Sequence, residues 1–270
     1  MNKLLTRIVT AVVLVVILLV VFFRFPDTAA VGLLGVFVVA AAWEWGGFEG
    51  RPGPLLRVIF ALVIAASIAG LARVVPGGWQ TDLALGIGLA WWGIATILVL
   101  RFPVAIAPAW RLVCGLLVLL PAWVGMLVLL RSPQGGPQLL LLALAVIWAA
   151  DIGAYAAGRR FGRHRLAPRV SPGKTWEGVG GGLVATAMVA ATGAWVLQLS
   201  MPLLVGIALV AAAVSVIGDL TVSIFKRLAG LKDSGSLFPG HGGVLDRIDG
   251  VAAAMPIFAL CAGQAGLLVG

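Results

Sequence analysis

Apolar runs follow one another along this chain, separated by short polar or proline-containing joints. Ala11–Phe23 is a clear early example, and polar and apolar positions do not alternate in it. A half-buried strand would alternate with a period of two, so the pattern predicts helix. Runs of 16 to 24 residues recur from end to end. Most are long enough to cross a hydrocarbon layer of about 30 Å as helix. The pattern predicts nine spans, near 8–23, 28–48, 55–75, 82–100, 111–130, 138–157, 178–199, 203–225 and 250–268. Prolines such as Pro26, Pro54, Pro76, Pro108, Pro137, Pro172 and Pro202 fall in the joints or at span starts. There they break no helical hydrogen bond. Lipid offers no partners to backbone N–H and C=O groups, and a β-barrel would need alternating segments of about ten residues. The expected fold is an all-α polytopic integral membrane protein.

Composition agrees with this reading: 61% of the 270 residues are hydrophobic and only 11% are charged. The charge that remains sets an orientation. With the N-terminus cytoplasmic, inside segments carry sixteen Lys and Arg residues, against Arg24, Arg73 and Arg131 outside. The positive-inside rule therefore predicts N-in and C-out, which needs an odd number of spans. Lys3 and Arg7 before an apolar run also resemble a signal peptide, but the next span begins directly after Arg24, so a retained first helix is expected. Cys114 and Cys261 lie inside apolar runs and read as small core residues. The net charge of +9 points to anionic lipid and polyphosphate. It does not point to nucleic acid: there is one Tyr, no soluble basic domain, and the Trp residues lie in or beside spans.

Six of the ten acidic residues lie in 151–249. Residues 1–135 therefore read as a lipid-facing scaffold of spans. Residues 136–270 read as the catalytic part, with two cytoplasmic loops at 158–177 and 226–249. The second loop gathers cations (Lys226, Arg227, Lys232, Arg247), carboxylates (Asp233, Asp246, Asp249) and the stretch "FPGHGG" at 238–243. Its Gly240, His241, Gly242 and Gly243 bring bare backbone N–H groups close to any bound anion. Cations, carboxylates and open backbone in one loop suit a metal–polyphosphate complex.

Asp246 and Asp249, three apart at the start of the last span, share a helical face; a helix cap with an internal Asp–Arg pair is the competing structural reading. Asp219 lies inside the eighth span, where a carboxylate is expensive and marks a functional candidate. Ser223 and Arg227 continue its face at four-residue spacing. In the first loop region, Asp151, Tyr155 and Arg159 repeat at the same spacing, and Ser171, Lys174, Thr175 and Glu177 precede the glycine-rich "GVGGG" at 178–182. "SPGKT" lacks the leading glycine of a Walker A loop. His164, among arginines, reads as a solvated surface residue.

Ser223, Lys226-Arg227, Lys232-Asp233, Gly235, Phe238-Pro239, His241-Gly242-Gly243, Asp246-Arg247 and Asp249, at these spacings, resemble the signature of the phosphatidate cytidylyltransferases. The upstream "DIGAY…GRRFG" and "SPGKTWEG" resemble that family's second block, with Ile152 where a hydroxyl residue is expected. The resemblance implies that CTP and phosphatidate give CDP-diacylglycerol and pyrophosphate with Mg²⁺, for which Mn²⁺ could substitute. It implies a metal site of Asp219, Asp246 and Asp249 and phosphate balance by Lys174, Lys226, Arg227, Lys232 and Arg247. It further implies a homodimer in the cytoplasmic (inner) membrane. Two alternatives stay open on the residues: a CTP-dependent enzyme acting on an isoprenoid lipid, and an anion transporter coupled through Asp151 and Asp219. The transporter would show internal repeats with matching broken helices, and none is visible.

Overall fold

A computed structural model describes residues 3–50, 53–235, 237 and 242–268, with side chains from Val9 onward except Ala11. Within it run nine α-helices: α1 (Lys3–Arg24), α2 (Asp27–Trp45), α3 (Pro54–Leu71), α4 (Gly78–Arg101), α5 (Pro108–Leu130), α6 (Gly136–Phe161), α7 (Trp176–Leu197), α8 (Met201–Leu228) and α9 (Leu245–Gln264). Seven of these, α2 to α8, are long and apolar enough to cross a membrane. The helix α9 falls short because its first five residues include Asp246, Arg247 and Asp249.

Each predicted span has its helix, and the ends differ in informative ways. The helix α6 continues past the predicted 157 to Phe161. Between α6 and α7, where the sequence reads as a loop, β1 (Arg165–Ala167) and β2 (Ser171–Thr175) pair antiparallel. The hairpin is short and lies in a polar stretch, so it leaves no apolar signature. The helix α9 begins five residues ahead of the predicted 250, which brings Asp246 onto it. Proline starts α3 and α5 and is second in α6 and α8, where a missing N–H costs nothing.

Burial is uneven. In α9 every residue from Gly250 to Ala259 is buried, against α8, α5, α4, α6 and α2. The outer helices instead expose Leu62, Ile94, Val184 and Met188, the surface that lipid would cover. Trp79, Trp110, Trp176 and Trp195 are exposed at the ends of their helices, as in the aromatic belts of membrane interfaces. Cys114 and Cys261 are free thiols. The small residues of α7 pack directly on α6, Gly182 against Ala150 and Gly178 against Ala154. This is the close approach that small residues permit between membrane helices.

Candidate active site

The two helices that carry the acidic residues meet very closely. A Cβ on Gly218 of α8 would lie 2.5 Å from the carbonyl oxygen of Asp249 in α9, so the residue beside Asp219 must be glycine. That contact brings Asp219 and Asp249 to one end of the interface. After Lys226 and Arg227, α8 stops at Gly230 (φ 72°), where the Leu231 N–H donates to the Lys226 carbonyl at 2.8 Å. This glycine termination turns the chain back toward α9.

At the same end lies a cavity of about 580 Å³, walled by α6, β2, α7, α8 and α9. Asp151, Tyr155, Arg159, Lys174, Thr175, Asp219, Lys226, Asp233, Asp246, Arg247 and Asp249 all line it. Two lysine–carboxylate pairs organise the walls. Lys174, delivered by β2, sits 2.6 Å from Asp219 Oδ2, and Ser223 donates to Asp219 Oδ1 at 3.3 Å. Lys226 sits 2.6 Å from Asp246 Oδ1, both side chains being about nine-tenths buried. The other oxygen of Asp246 accepts the N–H of Ser234 at 2.9 Å and of Gly243 at 3.3 Å. Asp249 Oδ1 accepts the N–H of Gly250 at 2.8 Å.

The hairpin that carries Lys174 is tied down at its base. Glu177, in the first turn of α7, accepts the N–H of Arg163 at 3.1 Å and pairs with His164 Nδ1 at 2.6 Å. Thr175 caps α7 by accepting the Gly178 N–H at 3.1 Å. Arg165 donates across the hairpin to the Pro172 carbonyl.

A second, mainly apolar cavity of about 500 Å³ lies between α1, α2, α5, α6 and α9, walled by residues such as Leu14, Phe37, Met126, Trp148 and Val251. Asp151, Asp246 and Arg247 line both cavities. Ile152, which the sequence leaves without a polar role, lines the apolar one.

Residues 5–263 match the model of the Cytidylyltransferase family. The chain belongs to the cytidylyltransferase family. It is 44% identical over 268 residues to a phosphatidate cytidylyltransferase of Pseudomonas aeruginosa, covering 96% of this chain and 97% of that one. It is 36% identical over 280 residues to a phosphatidate cytidylyltransferase of Haemophilus influenzae, covering 93% and 96%. With one from Brucella suis it shares 47% identity over 141 residues, about half of each chain.

In this member of the cytidylyltransferase family, the cavity gathers Asp151, Tyr155, Lys174, Thr175, Asp219, Lys226, Asp233, Asp246, Arg247 and Asp249 of the residues singled out from sequence. Ser223 and Gly243 stand behind it, bonded to Asp219 and Asp246. Ser171, Glu177, Arg227, Lys232 and Gly242 are not on its wall. Glu177 instead anchors the hairpin through His164, which stays largely exposed as the sequence reading expects. Gly240 and His241 lie outside the described residues.

The expected single metal site of Asp219, Asp246 and Asp249 meets a different arrangement. Among the described residues no three acidic, histidine or cysteine side chains converge as a metal group. Both oxygens of Asp246 are engaged, by Lys226 and by backbone N–H groups, and both oxygens of Asp219 are engaged, by Lys174 and Ser223. Asp219, Asp246 and Asp249 all line the cavity and offer only oxygen atoms. Oxygen donors of this kind fit Mg²⁺, which commonly takes one or two carboxylates and completes its shell with water and substrate phosphate.

The sequence reading missed Arg159 as a wall residue, although its four-residue repeat with Tyr155 was visible; the Arg159 guanidinium donates to the Tyr155 hydroxyl at 3.1 Å. It also gave no role to Glu44, a carboxylate within an apolar span and only 2% exposed. The cost of burying that charge was the available signal.

Proposed function

We propose that this protein transfers the cytidylyl group of CTP to phosphatidate, giving CDP-diacylglycerol and pyrophosphate. One observation carries the reading: a polar and an apolar cavity share Asp151, Asp246 and Arg247 as a common wall. A water-soluble triphosphate suits the first, the diacyl tails suit the second, and their phosphates would meet at the shared residues.

The chemistry is in-line displacement at the α-phosphorus of CTP. An oxygen of the phosphatidate phosphate forms the new P–O bond, the bond to the bridging oxygen of the β-phosphate breaks, and pyrophosphate leaves with its electron pair. The attacking oxygen is already anionic, so no general base is required. The obstacle is bringing two anions together, and here positioning and electrostatics dominate. Lys174 and Lys226 face the cavity and would offset charge on phosphate oxygens, Lys226 while still held by Asp246. Arg247, at the shared wall, stands where both phosphates would meet. Asp219 and Asp249 would hold Mg²⁺, which when bound offsets negative charge on attacking and leaving oxygens. Asp246 keeps Lys226 in place.

The test uses purified protein with phosphatidate and CTP labelled at either the α- or the γ-phosphate. The α-label should enter the lipid with one pyrophosphate released per transfer, while the γ-label stays in water. Transfer of the γ-label to lipid would make the protein a CTP-dependent lipid kinase. Preference for an isoprenoid phosphate over phosphatidate would select the isoprenoid alternative.

The same reading places residues 1–135 as scaffold and the hairpin and the α8–α9 connection on the cytoplasmic side of the inner membrane, where CTP is available. Cysteines at the exposed positions Arg169 and Leu231, with Cys114 and Cys261 replaced by Ala, should react with an impermeant maleimide only after permeabilisation. Labelling of both in intact cells would reverse the orientation. The proposed homodimer is checked by the mass of the detergent-solubilised protein, with a monomer mass as the contrary result.

A further inference from the structure

Glu44 lies at the end of α2, far in sequence from the cavity, and is buried to 2% exposure. Its Oε2 accepts the Ser234 hydroxyl at 2.7 Å and the Leu245 N–H at 2.9 Å, and its Oε1 accepts the Val244 N–H at 2.9 Å. Val244 occupies the N-cap position of α9 and makes no side-chain cap of its own. Glu44 therefore caps α9 from another helix, placing a carboxylate at the positive end of its dipole. The fit is tight: a Cβ on Gly243 or Gly235 would run into this carboxylate.

Ser234 links this buried anchor to the chemistry. Its hydroxyl goes to Glu44, while its N–H goes to Asp246 at 2.9 Å. Asp246, one residue beyond the capped Leu245, pairs with Lys226 at 2.6 Å in the cavity wall. The described wall of that cavity begins at Ala150, so Glu44 touches neither substrate nor the reacting atoms. Arg111 supports the other end of the same connection, donating to the Leu228 carbonyl at 3.0 Å and the Phe48 carbonyl at 2.9 Å.

We propose that Glu44 is a positioning residue for the transfer site: through Ser234 and the first turn of α9 it fixes Asp246, which holds Lys226 in the cavity. The proposal rests on the cytidylyl-transfer reading for its activity arm but not for its structural arm. It gives the N-terminal half a part in catalysis beyond burying apolar surface.

The experiment compares full-length wild type, Glu44→Gln, Asp246→Asn and the double variant in lipid nanodiscs. Gln keeps the size of the side chain but cannot accept all three hydrogen bonds as a carboxylate does. Turnover per folded molecule should fall about 10-fold or more in Glu44→Gln, as expected for a misplaced reacting group. Because the two residues act in series, the double variant should be no slower than Asp246→Asn alone, the non-additivity of coupled sites. Amide exchange should quicken at Ser234, Val244 and Leu245 while α5 is unchanged. Turnover within about twofold of wild type, or losses that multiply in the double variant, would overturn the proposal. So would unchanged exchange at those three amides. If Glu44→Gln does not fold, Ser234→Ala enters the same cycle, since it cuts the link and leaves the cap. If wild type transfers no cytidylyl group, the functional reading fails by itself, and the exchange measurement still decides whether Glu44 orders the first turn of α9.

Discussion

Asp219→Asn and Asp249→Asn should each lose at least about 10²-fold in cytidylyl transfer, the scale of removing a key electrostatic group. Protein level and thermal stability should stay near wild type. Both residues line the cavity, and each carries a carboxylate whose formal charge the packing does not demand. Asp219 is about one-third exposed, so Asn at that position creates no uncompensated charge in the core, and Lys174 is left facing the cavity. Partial recovery at raised Mg²⁺ or with Mn²⁺ is expected, because weakened metal binding is offset by mass action. Near-normal turnover in a well-folded Asp219→Asn protein would remove this residue from the site.

The second large effect concerns the buried pair. Lys226→Met should lower transfer by at least about 10²-fold and also destabilise the protein, because Asp246, at 11% exposure, loses its lysine counter-charge and keeps only backbone N–H partners. Breaking one side of a buried ion pair typically costs several kcal/mol, on the order of 3–5. Adding Asp246→Asn to Lys226→Met removes the stranded charge, so thermal stability should return while activity does not. This split separates a catalytic lysine from a structural one. If the double variant regained turnover together with stability, the pair would be a fold element only.

Much of this was readable from residue order alone. Each predicted span became a helix because unbroken apolar runs of that length leave the backbone little alternative in lipid. The clustering of Asp219, Lys226, Asp246 and Asp249 was also legible, since a charge within or beside a span is costly enough to signal a role. What stayed hidden depends on partners distant in sequence. Glu44 and Ser234 are 190 residues apart, and no local pattern shows that one holds the other. The partners of the carboxylates were hidden for the same reason. Spacing puts Asp246 and Asp249 on one helical face, but only the turn after α8 brings Lys226 onto Asp246 and leaves Asp249 to the cavity. The β1–β2 hairpin is too short and too polar to declare itself, although it is what delivers Lys174.

The common wall of the two cavities has a kinetic consequence. On the proposed reading CTP would reach its side from water, so its supply would follow bulk concentration. On the same reading the lipid would reach the other side from within the bilayer, and its supply would follow mole fraction in the surface. Adding inert lipid or detergent at constant total phosphatidate should therefore slow turnover without changing the response to CTP. The products would separate in the same way, pyrophosphate diffusing in three dimensions and CDP-diacylglycerol in two. An enzyme acting on the liponucleotide next would be supplied most directly by sharing the same sheet of membrane.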